Sequence, residues 1–143
     1  MVALTLSIKK KDWQKELRVP VKLGGADRHM LRELNAYYGF LSDTSVIRFG
    51  VRRILENHSD VSISAYQSTS DENISMAQIS LPGHWKAIMI KLRDHFEFES
   101  LSELTRYIIR KEYDGITAAR KRSGKFLKEL EITDPIEAVA PAA

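Results

Sequence analysis

A pattern repeated within the chain constrains its fold more than any other feature. Shifted by 58 positions, Leu23 falls on Leu81, Val21 on Ile79 and Val19 on Ala77. At the same shift Met30, Leu31 and Leu34 fall on Ile88, Met89 and Leu92, Tyr38 on Phe96, and Phe40 on Phe98. Ser42 then meets Ser100, Val46 meets Leu104, Arg48 meets Arg106, Phe49 meets Tyr107, Val51 meets Ile109 and Arg52 meets Arg110. No gap is needed over roughly forty positions, and a repeat of this kind fixes the architecture before any local reading does.

Each copy predicts a strand and two helices. Leu17, Val19, Val21 and Leu23, and then Ala77, Ile79 and Leu81, alternate with polar residues, the period of a half-buried strand. In the first copy Met30, Leu31, Leu34, Tyr37 and Tyr38 draw one helical stripe after Gly24-Gly25, with Asp27 in the first turn. In the second, Ile88, Met89, Leu92 and Phe96 do the same after Pro82, where a first-turn proline is tolerated. Gly39 is placed to end the first of these helices. Ser42 and Ser100 are N-cap residues for a second helix, and Ser100 with Glu103 forms a capping-box pattern. The second helices carry Val46, Ile47, Val51, Ile54 and Leu55, and then Leu104, Tyr107, Ile108 and Ile109. Val2 to Ile8 and Val61 to Tyr66 also alternate and are candidates for two extra strands.

One strand and two short helices cannot bury their own apolar faces, and a lone strand needs a neighbour for its backbone groups. Two copies answer both needs. The strands pair into an antiparallel ribbon and the helices pack beneath it. The expected fold is therefore mainly α with a short two-stranded antiparallel ribbon, the two copies paired as a pseudo-dimer. The Ser-, Asp- and Asn-rich linker of about 17 residues spans up to roughly 55 Å, enough for pairing within one chain. Arg18, Pro20, Lys22, Met76, Gln78 and Ser80 then point away from the core. A two-stranded ribbon fits the major groove of B-DNA, where Arg and Lys suit guanine and Gln suits adenine. The starts of the second helices, with Ser42, Thr44, Ser100 and Ser102, offer backbone amides and hydroxyls to phosphate.

Composition narrows the rest. The formal charge is +3, and positive residues gather at Lys9–Lys11, at Arg48/Arg52/Arg53 and from Arg120 to Lys128. With no cysteine, thiolate chemistry and cysteine-based zinc sites are excluded. His29, His58, His84 and His95 form no pair at helical ligand spacing, so no metal and no cofactor is expected. No nucleophile–base or carboxylate pair sits on a recognisable scaffold, and the chain is not expected to be an enzyme. No stretch approaches the ~20 apolar residues of a membrane span, and a cytoplasmic location is expected. Arg48/Arg52 and Arg106/Arg110, at i,i+4 spacing, are expected on wet helix faces with Glu33 or Glu103 as weak partners. Trp13 and Trp85 are expected to be buried rather than stacked on bases.

With these residues in view, the chain resembles the ribbon–helix–helix (Met/Arc repressor-like) DNA-binding family, in two tandem copies. Arg18 to Leu55 and Met76 to Tyr113 each resemble one family unit, and Phe98-Glu-Ser-Leu-Ser-Glu-Leu-Thr-Arg-Tyr-Ile-Ile-Arg110 is the most family-like stretch. The resemblance implies base reading by Arg18, Pro20 and Lys22 and by Met76, Gln78 and Ser80. It implies a phosphate clamp at Ser42 with Thr44 and at Ser100 with Ser102. Family members usually dimerise; here the second copy can take the place of a second subunit, and pairing between chains, by self-association, is the alternative. The chain departs from the family at Pro20, at apolar Met76, and at Glu97 in place of the inter-helix glycine. The two reading triplets differ, which implies an asymmetric target. The expected layout is an N-terminal extension (1–15), a first unit (16–57), a linker (58–75), a second unit (76–115) and a basic C-terminal helix and tail (116–143). The resemblance implies a sequence-specific transcriptional regulator, a repressor first of all. The alternative is an antitoxin that binds DNA and wraps a toxin with its C-terminal segment. A pure protein-interaction module is a third class.

Overall fold

In the computed structural model the structure describes residues 9–40, 42–62 and 74–131. Strand β1 (Glu16–Leu23) leads into helices α1 (Gly25–Tyr38) and α2 (Asp43–Glu56). Strand β2 (Ser75–Pro82) leads into α3 (Gly83–His95) and α4 (Leu101–Glu129). The chain is therefore mainly helical with a two-stranded antiparallel sheet. Alternation decides the strands: Val19, Val21, Leu23, Ile79 and Leu81 are buried while their neighbours are exposed.

The pairing register joins Arg18 to Ser80, Val19 to Ile79, Pro20 to Gln78, Val21 to Ala77 and Lys22 to Met76. Pro20 and Gln78 are 58 positions apart, so equivalent residues of the sequence repeat face each other at the ribbon's middle. Gly50 and Ile108, also 58 apart, meet where α2 crosses α4. A Cβ on Gly50 would collide with the Ile108 Cγ2 methyl. Beneath the sheet a single core gathers Leu31, Leu34, Val46, Ile47, Val51, Met89, Leu104, Ile108 and Ile109 from all four helices.

Local signals set most of the ends. Gly39 closes α1 in the left-handed conformation (φ 70°), which glycine adopts without steric cost. Its counterpart after α3 is Glu97, which holds φ 61° with a side chain attached. Asp27 anchors the start of α1: its Oδ2 accepts the Gly24 N–H at 2.9 Å. The start of α3 is capped differently. Gly83 N–H donates to the Lys15 carbonyl (2.8 Å) and His84 N–H to that of Trp13 (3.1 Å). Residues 9–15, with a 3-10 turn at Lys10–Asp12, are thus seated on that helix end.

Three expectations need correction. The layout divides the chain at 115/116, yet α4 runs unbroken through Gly115 to Glu129. Buried Ile116 and the contacts of Arg120 with α1 continue its packing, which outweighs the ~1 kcal/mol that an interior glycine costs. Ser75, assigned to the linker, already belongs to β2. Leu55, expected on the apolar stripe of α2, is 47% exposed. The candidate strand Val2 to Ile8, most of the one at Val61 to Tyr66, and the tail 132–143 lie outside the described residues.

Candidate nucleic-acid interface

The six residues expected to read bases lie on one surface. Arg18, Pro20, Lys22, Met76, Gln78 and Ser80 are all exposed on the ribbon's outer face. Because the strands run antiparallel, Arg18 stands beside Ser80 at one end and Lys22 beside Met76 at the other. The two cations, both from β1, therefore flank the central Pro20–Gln78 pair. Glu16 shares this face; its Oε2 accepts the Ser80 hydroxyl at 3.2 Å. Pro20 sits without conflict because both strands of a two-stranded ribbon are edges.

The four clamp candidates divide into two roles. Ser42 and Ser100 are N-caps: their Oγ atoms accept Ser45 N–H (3.3 Å) and Glu103 N–H (3.2 Å). Thr44 and Ser102, 58 positions apart, bolt each helix start to the strand of the other repeat. Thr44 Oγ1 donates to the Ser80 carbonyl at 3.0 Å, and Ser102 Oγ accepts the Lys22 N–H at 2.8 Å. The starts of α2 and α4 are thereby fixed against opposite strands. Their first-turn amides, at Asp43–Thr44 and Leu101–Ser102, have no acceptor within the helix. Each start carries one carboxylate in its first turn, Asp43 in α2 and Glu103 in α4. The Asp43 carboxylate takes a hydrogen bond from Asn35 (2.8 Å) and opposes an anion at that end.

Of the paired arginines, Arg106 and Arg110 turn away from solvent, whereas Arg48 and Arg52 are exposed on α2 as expected. Arg106 Nε and Arg110 Nε reach across to Asp27 at 3.0 and 3.2 Å, and Asp27 is fully buried. Arg48 and Arg52 hold the matching place on α2. Their guanidinium carbons lie 5.0 and 5.9 Å from the centre of the Trp85 ring. Asp27 and Trp85 are again 58 positions apart. One repeat-equivalent contact is thus ionic and the other cation–π. Both tie a second helix to the first helix of the other repeat. The signal was in the sequence: an i,i+4 arginine pair repeated in both copies. Its partners were hidden because they are about 80 and 35 residues away.

A second ionic cluster lies among α1, α2 and α4. Arg53 Nε pairs with Glu112 Oε1 at 2.6 Å, and the Tyr38 hydroxyl donates to Glu112 Oε2 at 3.0 Å. Burial, and then the Glu112 charge and that hydrogen bond, push the Tyr38 phenol up to about 12.

Lys9, Lys10 and Lys11 are exposed, and Lys15 pairs with Asp12 at 3.1 Å. Trp13 is half-buried, its ring 4.9 Å from that of His84. Trp85 is likewise half-buried beneath the two arginines. Among the described residues, no group of three or more His, Asp or Glu side chains is placed to hold a metal ion. No helix among them is long and apolar enough to cross a membrane. The chain matches no protein-family model, no curated protein and no solved structure.

Proposed function

We propose that this chain is a sequence-specific double-stranded DNA-binding transcriptional regulator. On this reading it comprises two ribbon–helix–helix units paired within one polypeptide, and its two-stranded ribbon enters the major groove. The observation that carries the reading is the ribbon itself. Arg18, Lys22 and Gln78 stand together on one exposed face, and equivalent residues of the two copies pair at its centre. The crossed Thr44 and Ser102 bonds support it further, because they fix a helix N-terminus to each strand of that face. Action as a repressor follows from the resemblance to the ribbon–helix–helix family. Since Arg18 and Lys22 come from one strand, the proposed target is non-palindromic, with its strongest contacts at the two ends of the site.

The test is binding of the full chain to duplexes selected from a random library and to DNA upstream of its own gene, at several salt concentrations. The selected site is expected to exceed scrambled DNA by roughly 10³-fold or more. Affinity should fall with salt, with a log–log slope of about −0.9 per phosphate contacted. Arg18→Ala/Lys22→Ala should abolish the preference while leaving the unfolding temperature in place, because both side chains are exposed. No binding at low salt, or a preference that survives the double substitution, overturns the reading.

A further inference from the structure

The two ends of the ribbon are built alike but carry different side chains. At one end Arg18 pairs with Ser80. There Thr44 of α2 holds the Ser80 carbonyl, and Lys86 Nζ of α3 donates to the Arg18 carbonyl at 3.3 Å. At the other end Ser102 of α4 holds Lys22, and Arg28 of α1, 58 positions before Lys86, donates to the Ser75 carbonyl at 3.4 Å.

The difference lies in the helices that start at these ends. Ser100, Glu103, Arg106 and Arg110 run down α4 from its cap. Asp27 takes both arginines, whose side chains are only 19% and 10% exposed. The matching positions of α2 are Ser42, Ser45, Arg48 and Arg52, so a hydroxyl replaces the Glu103 carboxylate. Trp85 stands where the first repeat has Asp27. Arg48 and Arg52 are exposed, and among the described residues neither makes an ion pair.

Trp85 sets where this charge stands. A cation–π contact holds a guanidinium in place yet leaves its N–H donors for another partner. Ser45 and the two arginines open with Phe40 and Phe49 on a cleft of about 240 Å³. Helical side chains lean toward the N-terminus, here the end that Thr44 fixes to the ribbon. Arg48 is one turn, about 5.4 Å, from Thr44, a distance that an arginine side chain covers. The carboxylates of α2 stand apart. Asp43 lies about 140° round the helix from Arg48 and is held by Asn35. Glu56 is a turn beyond Arg52, away from the ribbon. Glu16, at this end of the ribbon, takes the Ser80 hydroxyl.

We propose that Arg48 and Arg52 grip the DNA backbone on one flank of the site, beside the Arg18–Ser80 end of the ribbon. Arg48 contacts a phosphate and Arg52 adds its charge behind it. On the α4 flank the matching arginines are held by Asp27 and make no such contact. The family resemblance implies two like clamps; here one flank is held more tightly than the other. The inference rests on the DNA reading and deepens it.

The test uses the full chain and the duplex selected above. Ethylation interference maps the phosphates that binding needs, and salt dependence is measured on selected and scrambled DNA. Arg48→Gln/Arg52→Gln is expected to lose interference on one flank alone and to lower the salt slope by about 1. It should weaken both duplexes alike, because phosphate contacts carry no sequence information. Arg48→Lys/Arg52→Lys, which keeps the charge, should restore the slope. Urea unfolding checks that both variants fold. A glutamine variant with the parent's slope and footprint overturns the proposal, as does one that loses contacts equally on both flanks. So does a lysine variant that behaves like the glutamine one. In these cases the parent still binds its site and the DNA reading stands; a parent that binds no duplex overturns both.

Discussion

Glu97 holds a left-handed backbone (φ 61°) that glycine holds at the equivalent position in the other repeat. That conformation costs a residue with a Cβ about 1–2 kcal/mol. Glu97→Gly is accordingly expected to raise stability by about 1 kcal/mol in urea unfolding, and a loss of stability would contradict the assignment. Asp27 works in the opposite sense. Buried between Arg106 and Arg110, it also caps α1, so Asp27→Ala should cost about 3–5 kcal/mol. A cost under about 1 kcal/mol, the range of surface pairs, would show that the cluster is dispensable. Tyr38 supplies a pH signature. Its phenol ionises near 12 in the folded chain against 10.0 for the free group. A pKa raised by folding contributes stability that is complete below pH 10 and is lost as pH climbs toward 12. Tyr38→Phe should remove one late step from the 295 nm absorbance titration; an unchanged curve counts against the Glu112 contact.

At the scale of elements, α2 and α4 cross with no room for a side chain at Gly50. A methyl at Gly50 meets the Ile108 branch, which has no flexible end to withdraw. Gly50→Ala should therefore destabilise by about 1–3 kcal/mol, and Ile108→Ala by about 2–5. The double variant should fall short of the sum by at least about 1 kcal/mol, since each change relieves the other. Strict additivity would place the two residues apart. Much at this scale was legible. The strands follow from period two, and the Ser42 and Ser100 caps from chemistry confined to three residues. The continuity of α4 was not legible, because Gly115 marks a break locally while Ile116 and Arg120 continue to pack against distant elements. Nor were the crossed bonds of Thr44 and Ser102, which depend on a strand from the other repeat.

At the scale of the whole molecule, the repeat carried nearly all the foresight. It placed the ribbon's outer face residue by residue, and it gave the offset that relates Asp27 to Trp85 and Gly50 to Ile108. It did not say that equivalent contacts would use different chemistry. Nor did it say that Glu16 would take the Ser80 hydroxyl on the ribbon's outer face, or that Asp43 would take Asn35 at the start of α2. Both strands of the ribbon belong to one polypeptide. In a symmetric homodimer every substitution is made twice, and the two edges of a shared surface can only change together. Here each edge is encoded separately, so one mutation alters one edge and leaves its neighbour as it was. Such a surface is free to evolve by single steps, each half tuned without disturbing the other.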